Sequence, residues 1–483
     1  MAHHEPSAGG PELHPGRLVE LDVEDVDVHG DGVARTPGGL VVFVEGALAG
    51  EKVLARVVER HRHYARARLE RVLAAWEGRV AAPCPVAGRC GGCPLMVMAY
   101  DRQLAHKRRL VEESLLRLGQ LEAERVRVLP TLGMDDPWRY RNRAQYPVAR
   151  GPDGRVVLGF FRRGTHQVVP VEDCLVSHPT VVALARAGRR AVEELGLAPY
   201  DEQTHSGAIR HLVCRVGHGT GQALAVVVTR TEEVAGLQEL PARLRQQVDG
   251  LVGVVQNLNP HRTNVILGTT NRLLWGQPHF EERVGELRLR ISATAFFQVN
   301  TPQTHRLYGL VEQAVARLRR LAGMPVRLWD LYCGVGGIGL YCARHAGEVV
   351  GIEEHPTAVH DARYNARANG FGHAHFVVGQ VEQVLRGWTG PEPDWAEAVV
   401  VDPPRAGLAA EALRAVVERA PRLWVYVSCH PATLARDLGL FLRWSAQRGL
   451  RYRLDPVQPV DMFPHTAHVE TVACLWREPG PEG

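Results

Sequence analysis

Strand-like and helix-like segments alternate along the chain from residue 292 onward. The pattern predicts a helix over 304–321, then strands over 326–332, 348–352, 374–378, 397–401 and 423–427, separated by helices over 337–346, 356–369, 381–387 and 409–419, with a last helix over 431–447. Such alternation is typical of an α/β fold with a doubly wound, Rossmann-like parallel sheet. Ligands bind at the carboxyl ends of the strands in such sheets, so residues that follow each strand are candidate site residues.

The first predicted strand runs into a glycine-rich turn that opens a helix. Tyr332 precedes Gly334, Gly336 and Gly337, and glycines allow a tight turn and the close approach of a ligand to the backbone. Glu353 ends the next strand, where a carboxylate can accept hydrogen bonds from ribose hydroxyls. These residues fit NAD and S-adenosylmethionine equally.

The fourth strand ends in Asp402, two prolines and Arg405. Two prolines stiffen the loop and remove backbone donors. We therefore expect the Asp402 carboxylate at the sheet edge, where it could accept hydrogen bonds from a planar base. The alternative is a cap for the following helix.

The fifth strand stops abruptly at Ser428, Cys429, His430 and Pro431. Its position at a strand end makes Cys429 a candidate nucleophile. The alternative is an inert core thiol, since free cysteines are commonly buried.

Residues 15–73 have the pattern of a small all-β module. Short β-like runs over 18–23, 40–44, 52–58 and 65–72 alternate with glycine-rich turns, which predicts an OB-like closed barrel whose last strand is rich in arginine. This stretch is also similar to the TRAM domain, an RNA-binding module. Residues 1–14 are expected to be a disordered lead-in.

The chain has nine cysteines, and three of them lie close together as Cys84, Cys90 and Cys93. This spacing lets one loop surround a metal centre, and Cys174 is the best candidate for a fourth ligand. A [4Fe–4S] cluster is favoured, with zinc as the alternative.

Between these regions, helical periodicity predicts a helix over 101–120. Residues 138–291 have the pattern of a mainly antiparallel β domain with helices near 179–195 and 232–249. Basic clusters at 107–109, 139–143 and 162–163 suit RNA, although each alone fits a solvated basic face equally well. No apolar run is long enough to span a membrane, and the N-terminus lacks a secretory pattern, so a cytoplasmic protein is expected.

Together these motifs resemble the RNA uracil-C5-methyltransferase family, most closely its 23S rRNA branch. The resemblance covers nearly the whole chain and rests on the cysteine group, residues 297–300, the glycine turn, Asp402 to Arg405, residues 428–437 and residues 463–470. It implies an enzyme that methylates C5 of a uridine in RNA, with S-adenosylmethionine as the methyl donor.

The resemblance also implies site roles. Cys429 would attack uracil C6, and Glu470 would remove the C5 proton. Gln298, Tyr332, Gly337, Glu353, Gln380 and Asp402 align with methyl-donor positions. Gly337 and Gln380 stand where other members often have asparagine. Phe296 or Phe297 could stack on the flipped base, while at least one of them is expected in the core.

The implied architecture has three domains. A TRAM barrel over 15–73 is followed by a central β domain over 74–101 and 136–291 and by a catalytic domain over 102–135 and 292–477. The expected partner is 23S rRNA, bound by a monomer before or during ribosome assembly. The alternatives are the same reaction on transfer RNA and a non-catalytic iron–sulfur RNA-binding protein.

Overall fold

The structure is a computed structural model that describes residues 13–389 and 394–479. Most of the expected lead-in over 1–14 lies outside the described residues. The chain forms two compact units. Within the described part, the first contains residues 13–107, 162–165 and 463–468, and the second contains the rest. The predicted domain boundaries stay a prediction.

A closed five-stranded barrel forms the core of the first unit, as predicted for residues 15–73. Its strand order is β1-β2-β3-β5-β4. The strands are β1 (Leu18–Val26), β2 (Gly32–Arg35), β3 (Val41–Glu45), β4 (Lys52–Arg60) and β5 (Tyr64–Ala74). Buried and exposed residues alternate along β1 and β4, because alternate side chains of a strand point into and out of a barrel.

The loop with Cys84, Cys90 and Cys93 also belongs to the first unit. Arg163, from the predicted basic cluster at 162–163, forms a bidentate ion pair with the buried Asp31. Lys107 donates a hydrogen bond from Nζ to the carbonyl of Phe463 at 3.0 Å and is fully buried. These two basic residues therefore stabilise the first unit.

A seven-stranded, mainly antiparallel sheet forms one part of the second unit, as predicted. Its order is β12-β11-β10-β9-β6-β7-β8, and β10 and β11 are its parallel pair. The strands are β6 (Arg143–Arg150), β7 (Val156–Phe161), β8 (Val168–Pro170), β9 (Ile209–Val216), β10 (Ala223–Thr229), β11 (Leu251–Leu258) and β12 (Thr270–Gly276). A hairpin of β13 (His279–Val284) and β14 (Leu287–Ser292) follows.

Three helices accompany these strands: α1 (Tyr100–Arg117), α2 (Pro179–Glu194) and α3 (Leu240–Arg245). Helix α2 packs its apolar face on β9 in one core cluster. The helix predicted over 232–249 is wrong in length, since α3 covers six residues. Pro241 stands in its first turn, and proline cannot donate in a helix interior.

An eight-stranded sheet forms the other part of the second unit, with the order β17-β16-β15-β18-β19-β22-β20 and with β21 paired to β22. The strands are β15 (Val326–Leu331), β16 (Glu348–Glu353), β17 (Ala374–Val378), β18 (Ala396–Val401), β19 (Leu423–Ser428), β20 (Tyr452–Leu454), β21 (Gln458–Val460) and β22 (Glu470–Arg477). Strands β15 to β19 are parallel, and β22 runs antiparallel to β19. The predicted doubly wound sheet is confirmed.

The helices of this sheet are α4 (Thr301–Ala322), α5 (Gly337–Cys342), α6 (Pro356–Ala368), α7 (Val381–Arg386), α8 (Ala410–Arg419) and α9 (Pro431–Gln447). Val111 and Leu115 of α1, together with Val128, share a core cluster with β15, β18 and β19. Burial of such apolar side chains contributes about 1.5–3 kcal/mol each. Among the described residues, no helix is long and apolar enough to cross a membrane.

Candidate active site

The pairing of β19 with β22 brings Cys429 and Glu470 together. In this antiparallel ladder Val427 pairs with Val472 and Ser428 with Thr471. The same register continued by one residue sets Cys429, directly after β19, opposite Glu470, the first residue of β22. Cys429 is half-buried, whereas Glu470 is 3% exposed. A thiol and a carboxyl group therefore share one end of the sheet.

The surroundings of Cys429 favour its neutral form. Burial raises the pKa of the thiol to about 12, and the charges of Glu470 and Asp402 act in the same direction while Arg405 opposes them. Both carboxyl groups therefore lie near enough to repel a thiolate. Within the protein alone, Cys429 is a thiol at neutral pH and must lose a proton before it can attack.

Glu470 is a buried carboxyl group with spare hydrogen-bonding capacity. Burial, followed by the charge of Asp402, raises its pKa well above the usual value. Its Oε2 atom has no hydrogen-bond partner among the described residues. A carboxylate with a raised pKa is a stronger base than an exposed one.

Asp402 completes the group of acids. It directly follows β18, and Gln298 Nε2 lies 3.4 Å from its Oδ2. Burial raises the pKa of Asp402 to about 7, while the Gln298 hydrogen bond lowers it. Asp402 can thus be ionised or protonated near neutral pH. The structure brings together Cys429, Glu470, Asp402 and Gln298.

The glycine turn after β15 passes through left-handed backbone conformations. Residues Tyr332, Gly334 and Gly336 have positive φ values of 62°, 53° and 82°. A Cβ atom added at Gly334 would meet nothing within 4 Å, so the backbone borders open space. The Gly334 N–H donates to Glu353 Oε2 at 3.1 Å and the His355 N–H to Oε1 at 3.0 Å. Each Glu353 oxygen keeps acceptor capacity for a ligand hydroxyl.

Gly337 and Gln380 differ in how they border this turn. A Cβ atom on Gly337 would lie 2.5 Å from the Tyr308 hydroxyl, so the Tyr308 ring of α4 leaves no room for a side chain there. Gln380 is exposed next to Gly379, whose N–H donates to the Glu353 carbonyl at 3.0 Å. Its Oε1 accepts from Gln383 Nε2 at 2.6 Å.

Two acidic residues of the site region were missed as site residues in the sequence. Asp330 is 1% exposed in β15, accepts from the Gly339 N–H at 2.8 Å, and keeps Oδ1 without a partner among the described residues. Burial raises its pKa to about 7. Asp437 of α9 accepts from the Tyr426 hydroxyl at 2.7 Å and the Leu408 N–H at 2.8 Å. It therefore fixes the loop that follows Asp402. An acidic residue inside an apolar segment was the available signal for both.

Arg215 positions the segment that carries Phe296 and Gln298. This arginine of β9 is 1% exposed and donates from Nη1 to the carbonyls of Ser292, Ala293 and Ala295 at 3.1, 2.8 and 2.8 Å. The two phenylalanines follow these carbonyls in the chain. Phe297 is 4% exposed and packs in the interior, whereas Phe296 is 63% exposed. The expectation that at least one of the two phenylalanines is in the core is confirmed.

The Arg139–Arg143 cluster was predicted to hold RNA, and in the structure one of its members is engaged within the protein. Arg139 pairs with Asp173 through both terminal nitrogens and donates to the Cys174 carbonyl at 3.0 Å. Arg143 is half-buried, and desolvation lowers its pKa to about 10. Arg139 therefore has a structural role, and the contact of Arg143 with RNA stays a prediction.

The cysteines do not form a metal centre in this structure. Within residues 13–389 and 394–479, no group of three or more histidine, cysteine, aspartate or glutamate side chains could hold a metal ion. Cys84, Cys90 and Cys93 are half-buried on a loop of successive turns, and Cys174 is half-buried as well. No chemical step is therefore derived from a metal centre.

Comparison with known proteins agrees with the fold. Residues 12–69 match the family described as TRAM domain, and residues 393–478 match the tRNA (Uracil-5-)-methyltransferase family. An RNA methyltransferase of Halalkalibacterium halodurans is 41% identical over 458 residues, which cover 95% of this chain and 96% of that protein. One from Listeria innocua is 38% identical, covering 96% of this chain and 99% of that protein.

A solved structure is similar over nearly the whole chain. The Pyrococcus abyssi tRNA (uracil-54, C5)-methyltransferase, determined in complex with S-adenosyl-L-homocysteine, has a TM-score of 0.71 and 26% identity, with coverage of 94% of this chain and 99% of that one. The doubly wound sheet is that of an S-adenosylmethionine-dependent methyltransferase. The chain belongs to the RNA uracil-C5-methyltransferase family.

We predict that alkylation of Cys429 by iodoacetamide accelerates with pH. Because the thiol pKa is raised to about 12, each pH unit between 7 and 9 should increase the thiolate fraction and the rate about tenfold. Peptide mass spectrometry separates Cys429 from the other thiols.

The variant Asp402→Asn provides a matched comparison. Asp402 has a pKa of about 7 and raises the pKa of Cys429, so removing its charge should speed alkylation at pH 8.5 and change little at pH 6. Equal rates for the two proteins at both pH values would contradict the charge coupling.

Proposed function

We propose that this enzyme methylates C5 of a uridine in RNA through a covalent adduct between Cys429 and uracil C6. The observation that carries this proposal is the register of β19 and β22, which sets the thiol of Cys429 opposite the buried carboxyl group of Glu470. Uracil C5 is a weak nucleophile, and a thiolate added at C6 turns it into an enolate carbon.

The first step needs a proton acceptor for the thiol. The Asp402 carboxylate, ionised in part near neutral pH, takes the S–H proton. The sulfur then forms the C6–S bond, and the C5=C6 electron pair moves towards O4. Asp402 in its protonated form can donate a hydrogen bond to that oxygen, which stabilises the developing charge.

The second step transfers the methyl group and removes a proton. S-adenosylmethionine supplies an electrophilic methyl group, for which the backbone at Gly334 and the carboxylate of Glu353 provide a site. C5 of the adduct would form the new C–C bond while the C–S bond to the methyl group breaks, with S-adenosylhomocysteine as the leaving group. Glu470 then removes the C5 proton, the C5=C6 bond forms again and the C6–S bond breaks. Burial of Glu470 makes it basic enough for this carbon acid.

Phe296 is the aromatic side chain suited to the flipped base. It is exposed, whereas Phe297 is buried, and only an exposed ring can stack on a nucleobase. Arg215 binds three backbone carbonyls of the segment before Phe296. The backbone that carries the Phe296 ring is therefore held in place.

The variant Glu470→Gln should trap the reaction after methyl transfer. Without the base, the C5 proton stays and the thiol cannot be eliminated, so a methyl-labelled RNA–protein complex should accumulate on a denaturing gel while released product falls at least 100-fold. Cys429→Ala and the double variant Cys429→Ala/Glu470→Gln should give neither product nor complex. Normal turnover by Cys429→Ala would refute the nucleophile assignment.

We further propose that the RNA is 23S rRNA, bound before or during ribosome assembly by a cytoplasmic monomer. The match to a TRAM domain over residues 12–69 supports an RNA-binding module beside the catalytic one. The alternative substrate is transfer RNA, on which the Pyrococcus abyssi enzyme acts according to its description.

Mass spectrometry of RNA from a deletion strain should identify the substrate. We expect 5-methyluridine to disappear from one or more positions of 23S rRNA and to return with the wild-type gene but not with the gene encoding Cys429→Ala. Loss confined to transfer RNA would favour the alternative.

An iron–sulfur cluster held by Cys84, Cys90, Cys93 and Cys174 remains a separate proposal that rests on the donor set and its spacing. Protein purified without oxygen should then be coloured and contain about four irons per chain. The variant Cys90→Ser should lose both properties, with Cys474→Ser as the control. A colourless protein with stoichiometric zinc would show that the bound metal is zinc and not iron. An active protein without metal would refute the proposal.

A further inference from the structure

A cavity of about 1130 Å³ lies in the central part of the second unit. Its volume is slightly above the roughly 300–1,000 Å³ of small-ligand pockets. Phe161 and Tyr200 provide half-buried aromatic surface, while the side chains of Arg150 and Arg262 are exposed. Aromatic and arginine side chains together are the composition that binds single-stranded nucleic acid.

Two acidic residues in the same lining are already engaged. Asp201 Oδ1 accepts from the N–H groups of Gln203 at 2.8 Å and Thr204 at 2.9 Å. Glu202 contacts the His166 ring through its carboxyl group. The lining contains three arginines, Arg150, Arg210 and Arg262, against these two acids, so positive charge is in excess there.

His211 is the buried polar group of the cavity. It is 6% exposed, lines the cavity, and has no hydrogen-bond partner at either ring nitrogen among the described residues. A buried polar group without a partner costs about 1–3 kcal/mol. Such an imidazole is therefore suited to a ligand that supplies the missing partners.

The local backbone explains why His211 and its neighbour both reach the cavity. The register of β9 and β10 shifts between Val228 and Thr229, which leaves Arg210 as the extra residue of a bulge. Bulges re-aim side chains. Arg210 lies over the Tyr200 ring at 4.8 Å and donates to the carbonyls of Asn259 and His261, which fixes two walls of the cavity.

Burial, followed by the charge of Arg210, lowers the pKa of His211 to about 4. The imidazole is therefore neutral at physiological pH, with one donor and one acceptor. One donor together with one acceptor suits the edge of a base or a ribose hydroxyl, which can both donate and accept, better than a phosphate, which only accepts.

Strand β9 connects the cavity with the active-site region. His211 and Arg215 are four residues apart on this strand, about 13 Å at the rise of a β-strand, and Arg215 holds the segment before Phe296. A distance of this size corresponds to a few nucleotides of extended RNA. An RNA of several nucleotides is therefore long enough to span this length of β9.

We propose that this cavity is a second RNA-binding site, which accepts an unpaired nucleotide of the substrate other than the uridine that is methylated. The base lies against Phe161 and Tyr200, its polar edge bonds to His211, and Arg150 and Arg262 contact the adjoining phosphates. The proposal depends on an RNA substrate but not on the identity of that RNA or on the chemistry at Cys429.

Binding of a fluorescein-labelled, mixed-sequence single-stranded RNA of about ten nucleotides to the full chain tests this site. In fluorescence anisotropy, Arg262→Ala and His211→Phe should each raise Kd about tenfold at fixed salt. Arg243→Ala removes an exposed arginine of α3 outside the cavity and should stay within about twofold of wild type. Thermal denaturation checks that His211→Phe is folded.

Ultraviolet cross-linking of the same RNA gives an independent readout. Peptides that contain Phe161 or Tyr200 should carry the cross-linked nucleotide in wild type and lose it in His211→Phe. Unchanged Kd values for both cavity variants, or cross-links confined to other peptides, would overturn the proposal. If these results hold but no uridine is methylated by wild type, the binding site stands and the proposed reaction fails.

Discussion

The pairing of β22 with β19 is the constraint on which the candidate active site depends. Five parallel strands alone would leave Cys429 at a sheet edge without a base. The antiparallel strand β22 enters beside β19 with its first residue, Glu470, at that same edge. A slip of one residue would turn every side chain of β22 to the opposite face. Because β19 is buried along its whole length and β22 along most of it, packing on both faces opposes such a slip.

This arrangement gathers ionisable groups that an isolated chain would keep apart. Cys429, Asp402 and Glu470 all have raised pKa values, and burial is the largest cause in each case. Folding therefore becomes less favourable as pH rises through these values, since the unfolded chain releases the protons more readily. The loss of folding stability comes from one edge of the sheet. At that edge, Asp437 and its hydrogen bonds hold the loop after Asp402.

Periodicity predicted the doubly wound part well, because its strands are continuous apolar runs and its helices are amphipathic. Helix α9 and strand β17 have the predicted bounds. The central part was less predictable. Strand β11 was missed, since its parallel pairing with β10 follows a connection with little regular structure. The strand-end positions of Asp402 and Cys429 indicated a shared edge, and the family resemblance added Glu470, but their mutual repulsion depends on burial that no local pattern contains.

The arginines show that the function of a side chain is also hard to predict from the sequence when its burial and partners are unknown. A basic cluster in a sequence predicts a surface for RNA, yet Arg139 and Arg163 from two such clusters are bound to Asp173 and Asp31. Arg215, which lies outside the clusters, is bound to backbone carbonyls. A guanidinium group presents five donors in a fixed plane, so it can order several carbonyls at once, as Arg215 does before Phe296 and Arg210 does beside Tyr200. Both arginines belong to β9. A single strand of the central sheet thus shapes the segment beside Gln298 at one end and the wall of the cavity at the other, which is how the antiparallel sheet would help to position RNA in the site that we propose.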